Sequence, residues 1–223
     1  AAAGYASIDI GSSTDFQIYH NSNNHTYFVN QNGSGQLYIG SPTTNIMNAA
    51  LNETCASFTE NGAVTLYYDN SSKLATTNDG VSITGIATVS QGLNTDGLLS
   101  EKFNTTAGKL SDNTNIDLED GMVHYFSTQE TTTSTPNIRY SSSKSLNNML
   151  STGDAISITV ITTAAAGGYS ANWTIDGSAV TEDWVGGSAP SAGGSDGLDI
   201  YGITILKTGS GAYKFIGNLT NAT

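Results

Sequence analysis

The sequence predicts an all-β fold, and three observations predict it: a composition poor in helix formers, short runs of alternating apolar and polar residues, and Asn-Gly or Asp-Gly pairs between the runs. Only 12 % of the 223 residues are charged, so the polar character comes from Ser, Thr, Asn and Gly. Thr, Asn and Gly lower helix propensity. Thr and the aromatic residues suit a pleated sheet, whose turns are served by Asn-Gly.

Residues 1–90 read as short strands divided by turns. Phe16-Gln-Ile-Tyr-His alternates and is broken by Asn21-Ser-Asn-Asn; Tyr27-Phe-Val follows, and Asn32-Gly33 leads into Gln36-Leu-Tyr-Ile. Asn61-Gly62 precedes Val64-Thr-Leu-Tyr-Tyr, which Asp69-Asn70 closes, and Asp79-Gly80 opens Val81-Ser-Ile-Thr. The stretches beginning at Phe16 and Val64 share an apolar-polar-apolar-Tyr strand followed by an Asn/Ser turn, a weak repeat that suggests an elongated, hairpin-rich shaft. Short strands leave open edges, and closure of three copies about an axis would remove them, so the chain is expected to be a homotrimer.

Residues 91–110 read as a linker punctuated by Gly92, Gly97 and Gly108. Residues 111–223 carry longer strand patterns: Met122-Val-His-Tyr-Phe, Ile156-Ser-Ile-Thr-Val-Ile, Tyr169 to Ile175, Asp199 to Leu206 and Tyr213 to Leu219. Asp176-Gly177 joins the third of these to Ala179-Val180. A helix fits only at Ser145-Leu-Asn-Asn-Met-Leu. Strands at these intervals with glycine-rich turns predict a β-sandwich or jelly-roll head.

The net charge of −12, from seven Lys and Arg against nineteen Asp and Glu, argues against nucleic-acid binding and against anionic membranes. No apolar run has membrane-spanning length. Residues 1–11 lack the basic and apolar regions of a signal peptide. Cys55 is the single cysteine, so neither an intrachain disulfide nor a cysteine-based zinc site is expected. Eight Asn-x-Ser/Thr sequons, Asn24 and Asn172 among them, are close to what chance gives in so Asn- and Thr-rich a chain.

Catalytic patterns are present only in outline. Gly193-Gly-Ser195-Asp196-Gly197 matches G-x-S-x-G, yet a loop precedes it, a strand pattern follows it, and His20, His25 and His124 all lie upstream. His20 and His25 lack a third ligand at a metal spacing, and Asn115 to Gly121 departs from a calcium-loop pattern. Glu182, Asp183, Asp196 and Asp199 are carboxylates of the type that cleaves glycans, although neighbours on a strand face opposite ways. No enzymatic activity, metal or cofactor is therefore expected. Binding fits better: a glycine-rich loop opened by Trp184, with Ser195 and Asp196 on it, could stack on and hydrogen-bond a glycan. The plainer reading packs Trp184 into the head core and leaves the loop a solvated connection; Trp173, within an alternating strand, also reads as core.

Asp15-Phe-Gln-Ile-Tyr-His-Asn, Gly35-Gln-Leu-Tyr-Ile and above all Asn61-Gly-Ala-Val-Thr-Leu-Tyr-Tyr-Asp-Asn70 resemble the shaft module of marine bacteriophage tail-fibre and virion structural proteins, including those of phages infecting cyanobacteria. Lys109-Leu-Ser-Asp-Asn, Thr135-Pro-Asn-Ile-Arg-Tyr and Ile175-Asp-Gly-Ser-Ala-Val-Thr-Glu-Asp-Trp resemble a head module found at the ends of such proteins. The resemblance implies a trimeric or otherwise multi-copy appendage with an extended shaft and a β-sandwich tip. The chain is therefore expected on the virion surface beside other virion proteins, with a host-surface glycan as the candidate partner of its head. The length fits a short capsid or neck fibre, or a decoration protein. The rivals are a secreted adhesin or carbohydrate-binding module, expected to carry an export signal, and a glycan depolymerase, expected to release reducing ends.

Overall fold

The computed structural model describes residues 7–10, 16–20, 23, 25–30 and 33–223, and it is all-β. The chain divides into two units, Ala1–Asn94 and Thr95–Thr223. The second unit thus takes in most of the expected linker, because a strand at residues 103–106 belongs to the head's main sheet.

The first unit contains two antiparallel meanders. Strands β1 (Ser7–Ile10), β2 (Phe16–His20) and β3 (Thr26–Asn30) form one sheet. Strands β4 (Thr43–Met47), β5 (Thr54–Thr59), β6 (Val64–Tyr68), β7 (Ser71–Thr77) and β8 (Gly80–Ile83) form the other, in sequence order. The β6–β7 turn places Asp69 and Asn70 at φ of 51° and 55°, the left-handed pair of a type I′ hairpin turn. Residues 36–39 are not the strand that alternation suggested, and Leu37, Tyr38 and Ile39 are exposed. Strands β4, β5 and β7 went unpredicted because runs such as Ser-Ser-Lys-Leu-Ala-Thr-Thr carry too few apolar residues to show a period.

In the second unit the strands are β9 (Phe103–Thr106), β10 (Asn115–Asp117), β11 (Val123–Gln129), β12 (Asn137–Arg139), β13 (Ala155–Thr163), β14 (Thr174–Ile175), β15 (Ser178–Ala179), β16 (Glu182–Trp184), β17 (Leu198–Gly209) and β18 (Ala212–Ala222). They build two sheets, β16-β18-β17-β13-β11-β9 and β10-β12-β14-β15. Both sheets contribute to one hydrophobic core that includes Phe126, Val160, Tyr201 and Phe215 from the first and Ile116, Ile138 and Ile175 from the second. This two-layer arrangement is the expected sandwich, but its chain path is not that of a jelly roll.

From β9 to β14 the chain alternates strictly between the sheets, and successive strands within each sheet are parallel. The result is a short coil of three rungs. The first return spans 20 to 22 residues (Phe103 to Val123, Asn115 to Asn137), and the second 36 or 37 (Val123 to Thr159, Asn137 to Thr174). Parallel neighbours need long crossovers, and here each crossover is a strand of the opposite layer. The long hairpin β17–β18 then closes the larger sheet against β13.

Like residues stack from rung to rung. Ile116, Ile138 and Ile175 are register partners in the buried face of the smaller sheet. Beside them Asn115, Asn137 and Thr174 form a polar ladder: Asn137 Nδ2 donates to Asn115 Oδ1 at 2.9 Å, and Thr174 Oγ1 donates to Asn137 Oδ1 at 3.0 Å. Ser134 and Ser170 repeat the arrangement, with hydroxyls 2.7 Å apart. The expected strand at 169–175 shrinks to its last two residues, because the preceding ones form the crossover.

Candidate binding site

Trp184, the candidate for stacking on a sugar, is buried in the head core, as the plainer reading of the sequence had it. Its ring centroid lies 5.8 Å from that of Phe215, and its indole N–H donates to Glu182 Oε2 at 2.7 Å. At 9 % exposure the ring offers no face to a ligand, which corrects the expectation of a stacking platform. Gly217 explains the fit: a Cβ there would come within 2.9 Å of the Trp184 ring, so glycine leaves the room the indole occupies against β18.

Ser195 and Asp196 are exposed on the loop before β17. That loop runs into a strand instead of a helix, so the strand–turn–helix geometry that presents a nucleophile is not formed. The four carboxylates singled out by type serve separate tasks. Glu182 Oε1 accepts the Trp173 backbone N–H at 2.5 Å, tying β16 to the last crossover. Asp183 pairs with Lys214 at 3.0 Å on the surface. Asp199 is fully buried beneath Gly193 and Gly194; its Oδ1 accepts from the Gly194 N–H at 2.9 Å and from Asn221 Nδ2 at 2.6 Å. Asp196 remains in solvent, so Asp196 and Asp199 do not face each other across an open groove.

His124 is buried on the inward face of β11, where its Nε2–H donates to the Gly121 carbonyl at 2.9 Å. Burial is the main cause holding its pKa below the usual histidine value, so the ring is neutral at pH 7. His20 Nδ1 lies 3.1 Å from Thr26 Oγ1, and the His25 ring meets Tyr27 edge-on. Among the described residues, no cluster of three or more His, Cys, Asp and Glu side chains is placed to hold a metal ion, and no helix is long and apolar enough to cross a membrane.

The geometry singles out a different place. At the end of the smaller sheet an open cavity of about 340 Å³ is lined by Arg139, Ser142, Ser143, Lys144 and Asp176, with Asn137 at its edge. Arg139 is the only arginine in the chain. Its Nε and one terminal nitrogen donate to the two Asp117 oxygens at 2.5 and 3.1 Å, a bidentate pair across adjacent rungs. That pairing fixes the guanidinium plane and leaves its remaining N–H groups for a ligand. Ser141 Oγ accepts from the Ser143 and Lys144 backbone N–H groups at 3.3 and 3.1 Å, which folds the serine run into a tight turn.

Asp176 braces the other wall. Its Oδ1 and Oδ2 accept from the Leu146 and Asn147 backbone N–H groups at 2.7 and 2.9 Å, capping the short helix α1 (Leu146–Met149). Asp176 and Gly177 themselves form the expected hairpin turn, at φ of 50° and 77°. The Tyr213 hydroxyl lies 3.4 Å from Asp176, and burial with that carboxylate pushes its pKa up to about 12. The cavity is therefore a rigid, open dish of hydroxyl, guanidinium and ammonium donors.

Comparison with protein-family models, curated proteins and solved structures gives no match. The dish rests on the chain's own chemistry. Sequence reasoning passed over it, although it carries a signal: the sole arginine of a strongly acidic chain stands two residues before Ser141-Ser-Ser-Lys-Ser. What no linear pattern could supply is the third wall, because Asp176 comes from the next rung.

Proposed function

We propose that this chain is a non-enzymatic structural protein of a virion surface, displayed in several copies, whose head contacts host-surface glycans. The observation that carries the reading is the contrast in burial between the units. Among the described residues of the first unit only Gln17 and Ala56 are buried, whereas the second closes a continuous core around Trp173, Tyr201 and Phe215. A unit that buries almost nothing alone suits a part that is completed by neighbours. A closed head with a rigid polar dish suits a part that meets the outside.

Glycan contact fits the dish by Arg139 and the serine run better than it fits the Trp184 loop. Sugar hydroxyls need donors and acceptors in fixed positions, and there the guanidinium, the serine hydroxyls and the Asp176 carboxylate provide both. A single shallow dish binds weakly, and display in many copies multiplies it through effective concentration.

Gradient-purified particles probed with an antibody to the head test the localisation. Labelling of the particle surface is expected, and absence from particles with presence on the cell envelope would favour the adhesin reading. Glycan-array binding by the wild type and by Arg139→Ala tests the dish. Loss of signal in the variant is expected, and equal signal would place the contact elsewhere.

A further inference from the structure

The polar groups lining the dish beside Arg139 divide into acceptors and donors, and the chain uses the two sets very differently. The acceptors are largely engaged. Asp176 takes three hydrogen bonds, from the Leu146 and Asn147 backbone N–H groups and from the Tyr213 hydroxyl. Asn137 Oδ1 takes two, from Thr174 Oγ1 at 3.0 Å and from the Gly177 backbone N–H at 2.7 Å. Ser141 Oγ takes the two backbone N–H groups that fold the serine turn.

The donors are not. Arg139 gives Nε and Nη2 to Asp117, which stands outside the cavity lining. The other edge of the guanidinium, Nη1 with the second Nη2 hydrogen, has no acceptor among the described residues. Lys144 is exposed, with its ammonium 5.6 Å from the centre of the Tyr140 ring, and it has no carboxylate partner among the described residues. Charge points the same way. Acidic residues outnumber basic ones nineteen to seven in the chain, yet this lining sets Arg139 and Lys144 against Asp176 alone. Most of the other basic side chains are engaged elsewhere. Lys109 and Lys214 pair with Asp112 and Asp183, Lys207 is buried on the Asn147 and Leu150 carbonyls, and Lys102 shares a cavity with Glu101, Glu119 and Asp120.

We infer that the dish holds the oxyanion of an acidic sugar, a uronic acid carboxylate or a sugar sulfate, on the free edge of Arg139 with Lys144 beside it. An oxyanion is a pure acceptor, so it uses the surplus of donors; a neutral sugar hydroxyl brings a hydrogen of its own that also needs a partner. Two oxygens of a carboxylate or a sulfate match the guanidinium fork. The Asp117 pair on the opposite edge holds that fork still before a ligand arrives, which lowers the ordering cost of binding. A cavity of about 340 Å³ is at the small end of ligand sites and fits a charged unit of a glycan whose remainder stays in solvent. The inference rests on the glycan reading of the head and specifies the class of glycan.

Calorimetry of the full chain with oligosaccharides of one length tests it: a polyuronate, a sulfated galactan and a neutral galactan. The acidic sugars are expected to bind about tenfold more tightly than the neutral one, as a charge-assisted hydrogen bond gives. Raising the salt from about 0.1 M to about 1 M should remove most of that advantage. Lys144→Gln is expected to weaken the acidic sugars several-fold, whereas Lys109→Gln, the same loss of charge outside the dish, leaves them as they were. The only two tryptophans, Trp173 and Trp184, both lie in the head core, so an unchanged near-UV dichroism shows that each variant is folded. The tighter of the two acidic sugars identifies the oxyanion. Neutral and acidic sugars bound equally overturn the inference; if Arg139→Ala then abolishes both, the glycan reading still stands. Acidic sugars that Lys144→Gln does not weaken overturn it too, as does inorganic sulfate bound as tightly as the sulfated galactan, which would make the dish an ion site. Binding of no sugar at all sinks the glycan reading and the inference with it.

Discussion

Two aliphatic rows with the same logic have opposite fates in this molecule. In the head, Ile116, Ile138 and Ile175 stack across parallel rungs and are buried; in the first unit, Ile46, Ala56, Leu66, Leu74 and Ile83 line up across a meander and are mostly exposed. Register alone therefore does not make a core. The head row is covered because from β9 to β14 the chain crosses to the other sheet after each strand, so each rung brings its own lid. The meander turns back within one layer and has no such lid, although its residues are as apolar.

The contrast can be attacked first at its strongest point. Trp173 is 1 % exposed, and its ring centroid lies 5.7 Å from Tyr201 and 5.8 Å from Phe215. Trp173→Ala is expected to cost the head about 4 kcal/mol in chemical denaturation. A cost below about 1 kcal/mol would mean that the two layers are not sealed as described. Next comes Glu130, a buried carboxylate that accepts the Leu110 and Ser111 backbone N–H groups at 2.5 and 3.3 Å and so pins the start of the first crossover. Glu130→Ala strands both donors, and a loss of about 3 kcal/mol is expected from the same unfolding curves.

The effect of pH sharpens the comparison, because among the described residues the one histidine of the second unit is the buried His124. Its pKa in the folded head lies below the ordinary 6.5, so on acidification the unfolded chain takes up the proton first. The stability it contributes is complete above about pH 6.5 and declines as pH falls below that, by up to about 1.4 kcal/mol per pH unit. Unfolding curves between about pH 7 and pH 5 should show this slope, and His124→Asn should flatten it. The smallest effect belongs to the first unit: Leu66→Ala should change its hydrogen-exchange protection by less than about 1 kcal/mol. A loss as large as that from a sealed core would show that the face is already covered within one chain.

The fold class was legible because composition and turn pairs act locally. Asp69-Asn70 and Asp176-Gly177 sit at the left-handed angles their residue types favour, and Ser145 caps the short helix α1 where the sequence placed it. The parallel coil was hidden for a physical reason. Its strands β10, β12 and β14 are two or three residues long, too short to show alternation, and their returns differ in length. A trace does exist: Asn115-Ile-Asp, Asn137-Ile-Arg and Thr174-Ile-Asp are three copies of one rung, legible once the stacking is known. Trp184 was left between two readings for a related reason. A tryptophan beside a glycine-rich loop looks available, but only the parallel pairing of β16 with β18 shows that its ring lies over Gly217.

The coil sets the order in which the head's strands can pair as the chain leaves the ribosome. Strands β9 to β12 each wait for a partner made 20 to 37 residues later, whereas β17 and β18 are neighbours in the chain joined by a tight turn. Short-range hairpins close in microseconds, and loops of tens of residues carry a larger entropic cost before any contact rewards them. The last strands of the head to be synthesised are thus the fastest to form, and they provide the template on which β13 and then the earlier rungs zip backwards. Stalled nascent chains ending before β17 should remain protease-sensitive throughout the head, and become resistant together once β18 has emerged.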